Sequence, residues 1–283
     1  MNVVTVTPIT PRIGAEIGGV DLREELSEGV VEQIREAWLE HQVIFFRDQD
    51  LTHEQHIAFA ARFGELHIHP TVPHHPEHPE VLIIHADENS RSVAGDGWHS
   101  DVTFEQNPPL GSILRLTEIP PNGGGATLFS SMYSAYEALS PVFQEFLEGR
   151  VALHRLGKLP GHRQDETPPS AQHPVVLTHP ETGRKGLFVN QGFTKRIEDL
   201  SRDESYVILQ HLYKHIENPN FHVRFHWSKN SIAMWDNRCV QHLATWDYYP
   251  ATRHGYRVTL KGFKPSLGRT ASFGRCANSR NFG

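Results

Sequence analysis

The sequence predicts a mainly β protein with flanking helices, and three observations predict it. Short apolar stretches bounded by turn formers recur along the chain, as in Val43–Phe46, Glu80–His85 and Ser231–Trp235. The 19 prolines and 22 glycines supply the punctuation that many turns need. Helical periodicity, by contrast, clusters in the first quarter and around residue 205. No internal repeat and no linker is visible, and 283 residues suffice for a large core, so the chain 1–283 is read as a single domain. The simplest architecture from the residues alone is a strand-rich domain of the double-sheet or barrel type, decorated by helices.

In order, Val3–Val6 reads as an edge strand and Ile13–Val20 as a second, glycine-broken one. Ser27 stands at an N-cap, and Val30, Val31, Ile34, Ala37 and Trp38 then recur at helical spacing up to about His41. Val43–Phe46 has the character of a fully buried strand. Thr52 with Gln55 forms a capping-box pattern before Ile57, Phe59, Ala60 and Phe63, with Gly64 as the stop. Pro70–Pro79 is a His- and Pro-rich loop, Glu80–His85 a strand, and Ser112–Leu116 another. Gly123-Gly124-Gly125 turns into Thr127–Phe129; it lacks the strand-then-helix setting of a phosphate cradle. Pro141 opens a short helix to Leu147. Leu156–Gln172 is polar and reads as a loop, either a lid or plain surface. Val175–Leu177 and Gly186–Val189 form a hairpin around Glu181-Thr182-Gly183. Ser201 with Glu204 caps a helix whose face carries Val207, Ile208, His211, Leu212 and His215. Phe221–Phe225, Ser231–Trp235 and Tyr256–Phe263 are strand-like, and the Gly-, Ser- and Arg-rich tail from Ser266 is expected to be poorly ordered.

Composition narrows the function. A net charge of −6 carries no nucleic-acid footprint. The apolar runs are far too short to span a bilayer, and Met1–Thr10 lacks a signal pattern. Two cysteines, Cys239 and Cys276, sit in no paired motif, which argues for a reducing cytoplasm rather than a disulfide framework.

The stretch with most chemistry is Trp98-His-Ser-Asp-Val-Thr-Phe104. On a strand, His99 and Asp101 would share a face and could offer an imidazole and a carboxylate to one metal ion. A second histidine would complete the 2-His-1-carboxylate face used by non-haem Fe(II) oxygenases. Among 20 histidines, a chance His-x-Asp or a surface hydrogen-bonded pair is the competing explanation. His242, beyond the strand-like Ser231–Trp235, is the best third ligand; a capped loop histidine is the alternative. Arg253 and Arg257 follow, the latter inside an apolar strand pattern. A guanidinium there is costly to bury unless it meets an anion, either a ligand or a protein carboxylate.

Together these residues carry a resemblance. The chain resembles the taurine/alpha-ketoglutarate dioxygenase family, which includes alkylsulfatases and aryloxyalkanoate dioxygenases. The likeness runs from Ile13-Gly-Ala-Glu-Ile-Gly-Gly-Val20 through Val43-Ile-Phe-Phe-Arg47, Phe63-Gly-Glu-Leu-His-Ile-His-Pro70, the Trp98–Phe104 stretch, His173-Pro-Val-Val176, Trp235-Asp-Asn-Arg238 and His242 to Arg257-Val-Thr259. The resemblance implies a double-stranded β-helix (jelly-roll) core, Fe(II), 2-oxoglutarate as co-substrate and O2. It implies His99, Asp101 and His242 as iron ligands, and Arg253 and Thr127 as partners of the distal carboxylate of 2-oxoglutarate. Arg257 and His69 would meet the substrate anion, and Val102 and Phe104 would wall the pocket. The implied reaction hydroxylates a small organic anion beside its heteroatom, releasing succinate and CO2 with C–S or C–O cleavage. A taurine-like sulfonate is the first expectation, with sulfate esters and aryloxy acids as alternatives. Two departures weigh against taurine itself: Val72 and Gly95 stand where the taurine enzyme carries a tyrosine and an asparagine that helps bind the amine. A homodimer or homotetramer is implied as well. Two readings of other classes compete: a jelly-roll metal-binding protein without turnover, and a zinc hydrolase using the same three ligands, in which Arg253 has no evident role.

Overall fold

The computed structural model describes residues 4–68, 73–93, 95–157 and 168–265. The chain opens with β1 (Thr5–Pro8), β2 (Ala15–Gly18), α1 (Glu28–His41), β3 (Val43–Phe46) and α2 (His53–Ala61). Then come β4 (Leu66–His67), β5 (Val81–Ala86), β6 (Gly111–Glu118), β7 (Thr127–Ser131), α3 (Met132–Glu137) and α4 (Pro141–Leu147). Next are β8 (Val151–Arg155), β9 (Ser170–Pro174), β10 (Val176–Thr178), β11 (Lys185–Leu187) and β12 (Thr194–Ile197), followed by α5 (Arg202–Ile216). Last are β13 (His222–Phe225), β14 (Ser231–Asp236), β15 (Val240–Ala244) and β16 (Arg253–Leu260).

The large sheet runs β1-β2-β3-β14-β6-β16, with β4 and β5 both on the outer edge of β16. Its pairs are antiparallel except β2 with β3. A small sheet, β13-β7-β15, packs against its inner face. The seam is aromatic: Phe45 stacks on Phe225 at 4.0 Å, and Phe129 meets Trp235 at 5.7 Å. Each such ring removed from water contributes about 1.5–3 kcal/mol, which fixes the spacing of the two sheets. The outer face of the large sheet is covered by α1 and α2, whose Val31, Ile34, Trp38 and Phe59 bury against Ile44, Phe46, Ile113 and Met234. A third cluster joins α3, α4 and α5 to β10, β11 and β12.

The mainly β expectation and most elements are borne out. The capping boxes at Thr52 and Ser201 both form. Ser27 stands at its N-cap but makes no side-chain cap bond. Several expectations need correction. His99 and Asp101 do not lie on one strand: His99 forms a single bridge with His242, and Asp101 opens a turn in which Val102 takes φ +54°. The buried face of α5 is Ser205, Leu209, Leu212, Tyr213 and Ile216, whereas Val207 and His211 are exposed. The loop expected over 156–172 ends earlier, because Ser170–Pro174 is a strand on β8. β8, β12 and α3 carry no clear sequence pattern: β8 points His154 inward, β12 is half charged, and α3 is six residues long. His69, Val72, residues 158–167 and the tail from Ser266 lie outside the described residues.

Candidate metal centre and its cavity

Backbone pairing places two of the three candidate ligands. The N–H of His242 donates to the carbonyl of His99 at 2.9 Å, and the N–H of His99 donates back at 3.2 Å. A directly opposed pair projects its side chains to the same side, and the two rings lie 4.2 Å apart, centroid to centroid. β15 is anchored in turn to β7, with His242 opposite Phe129. Asp101 arrives from the turn. Its Oδ1 is 3.8 Å from Nε2 of His99 and 4.0 Å from Nε2 of His242. One donor atom from each of His99, Asp101 and His242 thus lies within 4.8 Å of the others. These separations are slightly wider than the roughly 3 Å expected for ligands about 2.1 Å from one ion.

The protonation states suit a divalent transition metal. Nδ1 of His99 is 2.8 Å from the carbonyl of Gly97 and must donate to it, which turns Nε2 towards Asp101. Burial and the neighbouring His99 push the pKa of His242 well down, so this ring is neutral; it packs on Trp235 at 4.7 Å. Its Nδ1 is buried and has no hydrogen-bond partner among the described residues. Burial raises the Asp101 carboxyl, but its charged surroundings, the Arg257 guanidinium first among them, outweigh it and hold the group well below the usual carboxylate range. Nη1 of Arg257 donates to Asp101 Oδ1 at 3.0 Å, and Ser112 Oγ donates to Oδ2 at 3.1 Å. Two imidazoles and one carboxylate on one side of a pocket match an open 2-His-1-carboxylate site.

The three donors face a cavity of about 390 Å³, within the range of small-molecule sites. Val102 and Phe104 are in its wall, as are Thr127, Arg253 and Arg257. Arg253, only 5% exposed, donates from Nε to the carbonyl of Gly125 at 3.1 Å and approaches Thr127 Oγ1 at 3.4 Å. Among the described residues no carboxylate bridges it, and burial lowers its pKa to about 10, so it remains a cation at neutral pH. Trp227 lies under the guanidinium at 5.7 Å, and its Nε1 donates to Thr127 Oγ1. Arg257 does two things at once: it lines the cavity and pairs with Asp101. Of the expected site residues, His69 falls outside the described set; the other eight come together here.

Several participants gave no signal in the sequence of the role they have here. The glycine turn seats an arginine: Gly125 has φ +76°, and a Cβ there would stand 2.9 Å from Cδ of Arg253. Gly95, at φ +84°, would bring a Cβ to 3.1 Å from the His99 ring, so the chain passes against a ligand where a side chain would crowd it. Phe193 and Leu156 add apolar wall from segments far away in sequence. Asn237 was visible within the Trp235-Asp-Asn-Arg238 motif, but the motif does not reveal what it holds. Its side chain is wholly buried and bonds both backbone groups of Asp101.

Comparison with known proteins accords with this geometry. The family model described as taurine catabolism dioxygenase TauD, TfdA family matches residues 5–259. An alpha-ketoglutarate-dependent sulfonate dioxygenase of Saccharomyces cerevisiae is 33% identical over 279 residues, covering 92% of this chain and 67% of its own length. An alkylsulfatase of Acinetobacter baylyi is 36% identical over 274 residues, covering 90% and 84%. The crystal structure of a taurine dioxygenase from Burkholderia xenovorans superposes with a TM-score of 0.84 at 40% identity, covering 94% of this chain and 93% of that one. The chain therefore belongs to the TauD, TfdA family of dioxygenases.

Proposed function

We propose that the protein is an Fe(II)- and 2-oxoglutarate-dependent dioxygenase acting on a small organic anion. The observation that carries this reading is the convergence of His99, Asp101 and His242 beside Arg253, a buried cation that no described carboxylate neutralises. The family resemblance extends it to a double-stranded β-helix core and a homodimer or homotetramer, while the absence of repeats or linkers in the sequence supports a single domain and the two unpaired cysteines a cytoplasmic location.

In this reading His99, Asp101 and His242 hold the metal through Nε2, Oδ1 and Nε2. A ferrous ion with 2-oxoglutarate and O2 supplies the oxidative decarboxylation that yields succinate and CO2 and hydroxylates the substrate. The chain supplies position. Arg253 receives the distal carboxylate of 2-oxoglutarate as a charge-assisted partner, with Thr127 as a hydroxyl beside it. Trp227 and Gly125 keep that guanidinium pointed into the cavity. Arg257 keeps Asp101 ionised and directed, and its buried Nε, which has no hydrogen-bond partner among the described residues, leaves a donor for the substrate anion. His69 is proposed as a second contact for that anion. Val102 and Phe104, with Ile84, Leu114 and Phe193, give the substrate an apolar wall that excludes water.

That wall bears on substrate choice. Sulfonates, sulfate esters and aryloxy acids all present an anion and an adjacent C–H. An ammonium such as that of taurine adds a group to be desolvated, and Gly95 offers it no side-chain acceptor. We therefore place unsubstituted alkyl sulfonates and sulfate esters ahead of taurine. The test is a panel of taurine, alkyl sulfonates, alkyl sulfates and aryloxy acids, scored by succinate release coupled to substrate loss. Iron- and oxygen-dependent succinate is expected with apolar-tailed anions; activity without oxygen would point to a hydrolase, and preferred use of taurine would overturn the ranking.

A further inference from the structure

We propose that Asn237 is a positioning residue that aims the carboxylate of Asp101, with Ser112 fixing its rotation. The inference rests on the metal-site reading above. Asp101 opens a turn and has no strand neighbour, so its backbone amide and carbonyl need partners from elsewhere. One side chain serves both. Oδ1 of Asn237 accepts from the Asp101 N–H at 2.6 Å, and Nδ2 donates to the Asp101 carbonyl at 2.9 Å. The same Nδ2 donates to the carbonyl of Pro109 at 2.9 Å, tying the turn to the start of β6. The amide mimics a paired strand for a single residue.

The turn needs such a hold because the next residue is strained. Val102 is β-branched with φ +54°, a conformation that costs roughly 1–3 kcal/mol and persists only where the surroundings impose it. Beyond it, Thr103 Oγ1 meets Nδ1 of His154 at 2.9 Å and accepts from Nδ2 of Asn190 at 3.1 Å. Nε2 of His173 donates to the carbonyls of Thr103 and Glu105, both at 2.9 Å. Strain between two buried polar anchors fixes the direction of the Asp101 side chain. Ser112 Oγ, donating to Oδ2, then leaves Oδ1 as the oxygen that faces the two imidazoles. Among the described residues Asn237 makes no hydrogen bond to a ligand side chain and does not itself line this cavity; it acts through the backbone of Asp101.

The experiment is an anaerobic titration of the metal-free protein with Co(II), read by its visible absorption, beside thermal unfolding of the same metal-free samples. The variants are Asn237→Ala, Asn237→Asp and Ser112→Ala. Gln49→Ala is the control, because Gln49 is also a buried amide clamping backbone: it accepts from the N–H of Leu22 and donates to the carbonyl of Arg47, far from the site. The expected result is a roughly 10–100-fold weaker Co(II) affinity for both Asn237 variants and a smaller loss for Ser112→Ala. Gln49→Ala should lower the melting temperature and leave Co(II) affinity and spectrum as in the wild type. Wild-type Co(II) affinity in the Asn237 variants, with only a lowered melting temperature, would overturn the proposal. If neither Asn237 variant folds, Ser112→Ala decides alone, and an unchanged affinity and spectrum overturn it. A wild-type protein that binds no Co(II) removes the metal reading itself, a separate failure.

Discussion

Arg238 and Arg253 are both guanidiniums withdrawn from water, 8% and 5% exposed, and they sit in opposite electrostatic settings. Arg238 is neutralised on the spot. Its Nε and Nη2 grip both oxygens of Asp236 at 2.9 and 2.6 Å, and Nη1 donates to Glu181 at 2.6 Å. Burial pulls its pKa down, but Asp236 and Glu181 outweigh that and raise it above the ordinary arginine value. Arg253 has a carbonyl, a hydroxyl and an indole face for company, and burial brings it down to about 10. A buried cation with its counter-ion built in belongs to the structure; one without belongs to a site that receives an anion from outside. The difference separates the cross-braced end of β14 from the cavity at the start of β16.

The comparison can be broken or sharpened at several points. It presupposes a metal beside Arg253, so the largest effect is expected from His99→Ala and Asp101→Ala. Each should cut succinate formation by more than roughly 100-fold, beyond the loss typical of a residue one step removed from the metal. Arg238→Met should destabilise the fold by about 3–5 kcal/mol, since it leaves the buried Asp236 carboxylate without its guanidinium and with the His179 ring as its side-chain partner; denaturant unfolding measures it. Arg253→Met should behave in the opposite way. The metal-free protein should be no less stable, while the apparent KM for 2-oxoglutarate rises roughly 10–100-fold, the equivalent of about 1.5–3 kcal/mol for a charged hydrogen bond. Equal loss of stability in both variants would erase the distinction.

A pH-dependent effect comes from two buried histidines that are not candidate ligands. Burial pushes His56 and His154 each down from 6.5 to about 3. Between those values the unfolded chain takes up protons that the folded one refuses. Stability should therefore be full above about pH 6.5 and fall by roughly 1.4 kcal/mol per pH unit for each group as pH drops towards 3. Denaturant midpoints at pH 7.5, 6 and 5 should show the slope, and His56→Leu should remove one group's share. The smallest effect is expected from Gly125→Ala, which combines an unfavourable left-handed backbone of about 1 kcal/mol with pressure on Arg253. Its signature should be a several-fold rise in the KM for 2-oxoglutarate, without change in metal affinity.

Much of this was legible from the residues because periodicity and capping are local. Thr52 with Gln55 and Ser201 with Glu204 mark real helix starts, and Val43–Phe46 is the buried strand its composition suggests. The site residues were legible as a set only through family likeness, since His99 and His242 meet through a bridge between segments far apart in the chain. The local argument for His99 and Asp101, alternation along a strand, pointed to a pair whose donor atoms do converge, but for a wrong reason. What brings them together is a strained turn held by Asn237, and no spacing rule encodes that. Likewise Gly123-Gly124-Gly125 reads as a plain turn, because its relation to Arg253 depends on contacts between residues distant in sequence.

The most direct test of the central claim is an anaerobic titration of the Fe(II)-loaded protein with 2-oxoglutarate, followed by visible absorption, in the wild type and in Arg253→Met. The account predicts a metal-to-ligand charge-transfer band that saturates in the wild type and needs roughly 10–100-fold more 2-oxoglutarate in the variant. Absence of the band in the wild type, or identical titration of the two proteins, would contradict it.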